Sequence, residues 1–266
     1  MGAESFEFHR RSLADLLSIK NEADFHGYLF REAIGRYVQH VGDSENLGTV
    51  LAVCAWDSDA LYLPRYNFER ILLIGILPPS ASIKSLMKVH PRIEYRQMDC
   101  ENIQLESASY DLVLCKEGLH HLARPVQGLY EMLRVCRRAV VFIEGYDSML
   151  IRLAGALGIT SDYEPNSVAN IGGRKNYVFR WGKRHLQQIL NSYYLDSGWH
   201  LDMTLGWLSG RISLKHSRSF QILFALLGYA FSFTPACMGN FLTAMITPGS
   251  VIPEQSTRYQ SEARKR

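Results

Sequence analysis

The chain reads as an α/β protein built on a mostly parallel sheet with helices on both faces, and three observations predict this. Within residues 92–145, three apolar runs of strand length (93–98, 110–115 and 139–143) alternate with polar or helical material, the order expected when helices connect parallel strands. Between the last two runs, Val126, Leu129, Tyr130 and Leu133 share one face at helical spacing, while Glu131 and Arg134 lie off it. Upstream, residues 49–54 (TVLAVC) and 70–77 (RILLIGIL) are unbroken apolar runs suited to buried strands.

Taken in order, residues 1–46 are expected to be mostly helical. Leu13, Leu16 and Leu17 share a face of a first helix, and Phe30, Ile34, Tyr37, Val38 and Val41 share a face of a later one. Residues 47–145 form the core. Pro78-Pro79 after the second strand delays the next helix to residues 80–89. Residues 147–158 read as helical, and 161–175 as a polar, glycine-bearing insertion. Residues 182–192 form a helix, and 199–207 a strand with alternating apolar positions. Residues 220–233 (FQILFALLGYAFSF) are a buried helix in this reading, because the run is shorter than the roughly 20 residues of a membrane span before Pro235 interrupts it. Contact of this segment with a lipid surface stays open as a lesser alternative. Residues 239–247 read as a closing strand and 253–266 as a disordered tail. The organisation is thus one domain over 1–252, with N-terminal helices (1–46), a central core (47–145), an insertion (146–181) and C-terminal helix-strand elements (182–252).

Composition sets further bounds. At 266 residues, with 47% hydrophobic and 21% charged residues, the chain can bury a sizeable core. A net charge of +3 is too small to argue for nucleic acid. The basic clusters His9-Arg10-Arg11 and Arg264-Lys265-Arg266 read as solvated termini. Cys54, Cys100, Cys115, Cys136 and Cys237 show no metal-like spacing and read as reduced core thiols of a cytoplasmic protein, with no metal expected. Charges throughout residues 6–20 argue against a signal peptide.

In parallel sheets ligands bind beyond the carboxyl ends of strands. Those positions here are Asp99-Cys100-Glu101, then Lys116-Glu117-Gly118 with His120-His121, then Glu144-Gly145. Four features stand in a particular order: Asp99 closing one strand, Ser109-Tyr110-Asp111-Leu112-Val113, Gly118-Leu119-His120-His121-Leu122, and Glu131-Met132-Leu133-Arg134-Val135. Together they resemble the S-adenosylmethionine-dependent methyltransferases of the Rossmann-like class, well over residues 49–145 and more loosely elsewhere. The resemblance implies a mostly parallel sheet closed by an antiparallel C-terminal strand, with S-adenosylmethionine as cofactor.

The resemblance also assigns residues. The turn after the first strand should meet the cofactor's methionine part. It reads Cys54-Ala55-Trp56-Asp57-Ser58-Asp59 and lacks the family's glycines. Asp57 or Asp59 is available to the ammonium group, whereas Trp56 either crowds the backbone's approach or packs on a helix. Gly75 and Ile76 end the second strand, followed by Leu77-Pro78-Pro79 where the family places an acid for the ribose. Asp99 is expected to accept from the adenine amino group beside Cys100, or else to be a turn or cap acid. Carbonyls at Lys116 and Glu117 would face the cofactor's amino group. His120 or His121 would act as base, since a neutral imidazole can take a proton as the methyl group moves; the alternative is one buried and one exposed structural histidine. Glu144 is a candidate for orienting the acceptor, or a solvated loop acid. The Tyr163-Glu164 pair and the phrase Asn176-Tyr177-Val178-Phe179-Arg180-Trp181 resemble a bacterial subgroup whose insertion carries the same features. Loops of this length are commonly functional, so the insertion is expected to be a lid over the acceptor, with Tyr163, Tyr177 and Arg180 at the substrate. The expected activity is methyl transfer to a small molecule or glycan, at oxygen. The alternative is a non-catalytic subunit that keeps the fold for binding or scaffolding. A nucleotide-dependent oxidoreductase is set aside, because no Gly-x-Gly-x-x-Gly follows the first strand.

Overall fold

The computed structural model describes residues 4–158, 163–164, 176–195, 197–208, 216–233 and 239–249. Its strands are β1 (Glu4–Arg10), β2 (Thr49–Val53), β3 (Arg70–Gly75), β4 (Ile93–Gln97), β5 (Tyr110–Lys116), β6 (Cys136–Gly145), β7 (Tyr163–Glu164), β8 (Asn176–Tyr177), β9 (Trp199–Gly206) and β10 (Phe241–Pro248). Its helices are α1 (Leu13–Ser18), α2 (Glu22–Val41), α3 (Asp57–Tyr62), α4 (Ala81–Val89), α5 (Pro125–Val135), α6 (Met149–Ala156), α7 (Lys183–Tyr193) and α8 (Arg218–Ser232). Eight strands form one sheet in the order β1-β9-β10-β6-β5-β2-β3-β4, and β7 and β8 pair separately. Every neighbouring pair in the large sheet is parallel except β10, which runs antiparallel to both β6 and β9. The predicted α/β class and the antiparallel closing strand are both present.

The central strands are covered on both sides, which is why they read as continuous apolar runs rather than alternating ones. Side chains of successive residues still divide between two cores. Ile71, Leu73, Leu112 and Leu114 join Phe30, Ile34 and Tyr37 of α2 on one face. Leu72, Ile74, Val113 and Cys115 join Leu129 and Met132 of α5 and Leu186 and Leu190 of α7 on the other. Helix α2 starts where Asn21 accepts a hydrogen bond from the Asp24 N–H at 2.8 Å, and it stops at Gly42, whose φ of 70° suits glycine.

The N-terminus departs from the helical expectation. Residues 4–10 form an edge strand in full parallel register with β9, from Glu4 opposite Trp199 to Arg10 opposite Leu205. The signal was present as alternation in Glu4-Ser5-Phe6-Glu7-Phe8-His9, a period of two rather than 3.6. The basic cluster that follows is also not a solvated terminus at Arg11, which is only 2% exposed. Arg11 donates from Nε and Nη2 to the two Glu32 carboxylate oxygens at 2.8 and 2.9 Å, and from Nη1 to the Phe241 carbonyl at 3.1 Å. It therefore ties the end of β1 to α2 and β10.

The apolar C-terminal helix departs too. Among the α8 residues, Phe220, Leu223, Leu226 and Leu227 are exposed. The sheet side of α8 holds Gln221, Ala225 and Gly228 instead, and a Cβ on Gly228 would lie 2.6 Å from Trp207 Cδ1. Small residues let this helix settle close to Trp207 and leave its larger apolar ones outside. Among the described residues no helix is long and apolar enough to cross a membrane. Most of the 161–175 insertion and the 253–266 segment lie outside the described residues, as does Cys237.

The Arg11–Glu32 pair makes stability depend on acid. Burial by itself raises the Glu32 carboxyl, but the Arg11 charge and its hydrogen bonds outweigh this and hold it below the ordinary value. A depressed folded-state value means the contribution is complete above the unfolded value of about 4.3 and is lost as pH falls through the folded one. Glu32→Gln is expected to lower the unfolding free energy by about 3–5 kcal/mol at pH 7 and to shrink the difference between neutral and acid stability. Denaturant titrations of both proteins at pH 7 and at about pH 3, below the reference carboxyl values, check this. Equal midpoints at pH 7 would show that the pair contributes nothing.

Candidate active site

The chain leaves β2 toward β3 and β4 on one side and returns on the other as β5, so the β2 and β5 ends mark the reversal of strand order. Both ends turn sharply. Cys54, just past β2, has φ 52°, and Glu117, just past β5, has φ 50°, both in the left-handed region that favours glycine. The two turns touch: a Cβ on Gly118 would lie 2.5 Å from Cys54 Cβ and 3.0 Å from Cys115 Sγ. Here glycine is required for close approach, and it sits in the second turn rather than the first.

Beyond these turns opens a cavity of about 420 Å³. Cys54, Ala55, Trp56 and Asp57 line it from the β2 turn, Gly75 and Ile76 from the end of β3, and Asp99 and Cys100 from the end of β4. Lys116 and Glu117 do not line it. The Lys116 side chain is buried and its Nζ lies 3.2 Å from Glu117 Oε2. Trp56 is 45% exposed and stands on the cavity wall, so it does not pack away on a helix.

Sequence reading missed Leu77, Pro78, Ser80, Ile83 and Tyr95, which complete the β3–α4 side. The diproline noted in the sequence delays α4, and the irregular exit from β3 that results runs along the opening. Polar groups there are already engaged, with Tyr95 Oη donating to the Leu77 carbonyl at 2.6 Å and Gln97 Nε2 to the Ile76 carbonyl at 2.8 Å. Asp57 Oδ1 accepts from the Ser80 hydroxyl at 2.6 Å, and Asp99 Oδ1 from the Glu101 N–H at 2.8 Å. Asp59 is buried, accepts from the Trp56 N–H at 2.8 Å and caps α3. Burial pushes its carboxyl up to about 6, with the nearby Lys116 charge opposing the shift. Of the two acids considered for the ammonium group, only Asp57 lines the cavity.

Beside the cavity, the turn carrying the histidines is held from below by Glu144. This carboxylate is fully buried, not a solvated loop acid. Its Oε1 accepts from the Gly118 and Leu119 N–H groups at 2.8 and 2.7 Å, and its Oε2 lies 2.6 Å from His120 Nδ1. With Glu144 ionised, the proton of a neutral His120 is placed on Nδ1, which leaves Nε2 as the basic nitrogen. The His120 and His121 rings lie 4.1 Å apart, and of the two only His121 lines the cavity.

The remaining predicted residues gather on the His120 side. Trp181 bridges to Tyr146 and donates its backbone N–H to the Gly145 carbonyl at 2.9 Å, extending the chain alongside the end of β6. This sets Arg180 against Gly145, one residue from Glu144. Strand β8 packs on the histidine turn. Tyr163 and Tyr177, both exposed, meet edge to face across the β7–β8 pair with ring centres 5.8 Å apart.

Residues 54–143 match a family described as a methyltransferase domain. Among solved structures, the chain is similar to the YcgJ protein from Bacillus subtilis, at 13% identity and a TM-score of 0.57, over 84% of this chain and 100% of that one. It is also similar to magnesium protoporphyrin IX methyltransferase from Synechocystis PCC 6803, a structure with bound S-adenosylhomocysteine, at 10% identity and a TM-score of 0.51, over 86% of each chain. These likenesses show the fold. No curated protein sequence matches the chain.

The contact between the two turns is directly testable. Gly118→Ala places a methyl group where Cys54 Cβ already stands, and overpacking of this kind costs about 1–3 kcal/mol. A thermal melt should show a clear drop in midpoint; an unchanged midpoint would mean the turns do not meet.

Proposed function

Because the chain carries a methyltransferase domain of the Rossmann-like class, we propose that it transfers a methyl group from S-adenosylmethionine to an oxygen of a small-molecule or glycan acceptor. The observation that carries this reading is the adjacency of two arrangements: an apolar cavity edged by Asp99, and a histidine oriented by the buried Glu144.

The residues present fit the cofactor. Apolar walls from Ile76, Leu77 and Ile83 suit a flat heteroaromatic ring, and Asp99 at the end of β4 suits its amino group. Asp57 and Asp99 on the same cavity suit positive charge. The usual ribose acid is missing after β3, which leaves Asp57 and Ser80 as the polar pair on that side. When bound, S-adenosylmethionine supplies a methyl group on a positively charged sulfur. The protein's work is then positioning donor and acceptor in line.

His120 is the proposed base. The proton of an acceptor hydroxyl would go to Nε2, while Glu144 would hold the ring and balance the imidazolium charge. Glu144 touches neither substrate nor cofactor in this scheme and is a positioning residue. Tyr163, Tyr177 and Arg180 flank the same side and suit an acceptor with sugar-like faces or an anionic group. The alternative, a binding subunit without catalysis, is favoured by two features, the glycine-free turn after β2 and the missing ribose acid.

Calorimetric titration with S-adenosylhomocysteine separates the two readings. Binding is expected, and Asp99→Ala should weaken it by about 1–3 kcal/mol through an unpaired partner. No heat from the parent protein up to millimolar ligand would favour the binding-subunit reading. An Asp99→Ala protein that binds as the parent does would place the cofactor elsewhere.

His120→Ala should leave affinity for S-adenosylhomocysteine nearly unchanged and, once an acceptor is in hand, lower turnover by about 10²–10⁴-fold. Glu144→Gln keeps an acceptor for the Gly118 and Leu119 N–H groups yet removes the charge behind His120. Turnover should fall with little change in cofactor affinity. Rates of the parent should also fall in acid as the imidazole takes up a proton. An acid-insensitive rate, with full activity in His120→Ala, would remove this histidine from the mechanism.

A further inference from the structure

Three of the cysteines converge at the floor of the cavity, although they are far apart in sequence. Cys54 lies just past β2, Cys100 in the turn that follows β4, and Cys115 near the end of β5. Cys54 is half-buried and lines the cavity, as does Cys100, while Cys115 lies fully buried behind them. The Cys54 backbone N–H donates to Cys100 Sγ at 3.2 Å, and the turn at Gly118 lies against both Cys54 and Cys115 Sγ. A backbone donor aimed at the Cys100 sulfur favours its thiolate, while the carboxylates of Asp99 and Glu101 on either side oppose it.

From this geometry we infer that Cys54 and Cys100 form an oxidation site, a thiol pair that a hydroperoxide entering the cavity converts to a disulfide. Hydrogen bonding from the Cys54 thiol holds Cys100 below the ordinary thiol value, and the Cys54 N–H adds to this. Cys100 is therefore the attacking sulfur. Its thiolate attacks one oxygen of the hydroperoxide, the O–O bond breaks, and the other oxygen leaves as alcohol, or as water when the oxidant is hydrogen peroxide. The product is a sulfenic acid at Cys100. The Cys54 sulfur then attacks the Cys100 sulfur, the S–O bond breaks, and water leaves with the Cys54 proton. The sum is two thiols and one hydroperoxide giving a disulfide, an alcohol or water, and one water. Cys115 is the less suited partner for Cys54, because it lies behind the floor and burial pushes its thiol up.

The consequence for cofactor rests on the reading of this cavity as the S-adenosylmethionine site. A sulfur–sulfur bond of about 2.05 Å would draw the left-handed turn at Cys54 onto the exit of β4, beside Asp99. Both sides of the proposed cofactor cradle change shape together.

The test uses the intact purified protein. It is treated with hydrogen peroxide, alkylated with iodoacetamide and mapped by mass spectrometry, with parallel titrations of S-adenosylhomocysteine before oxidation, after it, and after dithiothreitol. The expected result is a Cys54–Cys100 linked peptide in the parent and in Cys115→Ala, but not in Cys54→Ser or Cys100→Ser. Affinity for S-adenosylhomocysteine should fall at least about tenfold on oxidation and return on reduction. The map of the parent protein decides the matter without any variant. Recovery of Cys54 and Cys100 as separate alkylated or sulfinic peptides overturns the inference, as does a bond from either to Cys115 or Cys237. Oxidised protein that carries the bond and binds as tightly as before overturns the cofactor consequence. A linked peptide in a protein whose reduced form binds no S-adenosylhomocysteine upholds the thiol pair and removes the proposed function instead.

Discussion

A carboxylate sealed away from water organises the carboxyl edge of this sheet. Glu144 sits at the end of β6 with no exposure, and an unpaired charge there would be several kcal/mol unfavourable. Two backbone N–H groups and an imidazole meet it. Those partners belong to the turn after β5, so satisfying the charge fixes where that turn runs. The turn in turn carries Gly118 against Cys54. One buried charge thus sets the relative placement of three strand ends, and with them the wall between the cavity and the histidine side.

The same contact explains how a methyltransferase-type turn is built without glycine at its start. A left-handed conformation costs an L-residue roughly 1–2 kcal/mol, and Cys54 adopts it. The hydrogen bond from its N–H to Cys100 Sγ offsets part of that cost. The space that glycine would provide is supplied from the opposite turn, where Gly118 has no side chain to collide with Cys54.

Burial and polarity run against expectation at the opposite edge of the sheet. Arg11, in a basic cluster, is buried against Glu32, while the apolar residues Leu223, Leu226 and Leu227 of α8 are exposed. Both follow from backbone geometry. Strand β1 lies beside β9, and its end delivers Arg11 to the carbonyls of Gly206 and Phe241, which a guanidinium can satisfy together with an acid. Helix α8 lies close over Trp207, where Gly228 leaves no room for a side chain and Phe224 packs against the ring.

Local order was legible in the sequence by itself. The unbroken apolar runs of β2, β3 and β5 and the helical stripe of α5 are written at fixed periods, and strands with helices between them admit few sheet arrangements. Positions at strand ends, such as Asp99 and the turn from Cys54 to Asp57, follow from that order and do line the cavity. What depends on contacts across many residues was not legible. The alternating pattern of residues 4–9 had no assigned place without β9 to pair with. The burial of Glu144, the meeting of Cys54 with Cys100, and the placing of His121 rather than His120 on the cavity each arise where distant strand ends converge. A period along the chain reports which face a residue takes; which charge, thiol or ring waits on that face is set only when the sheet assembles and water leaves the space between.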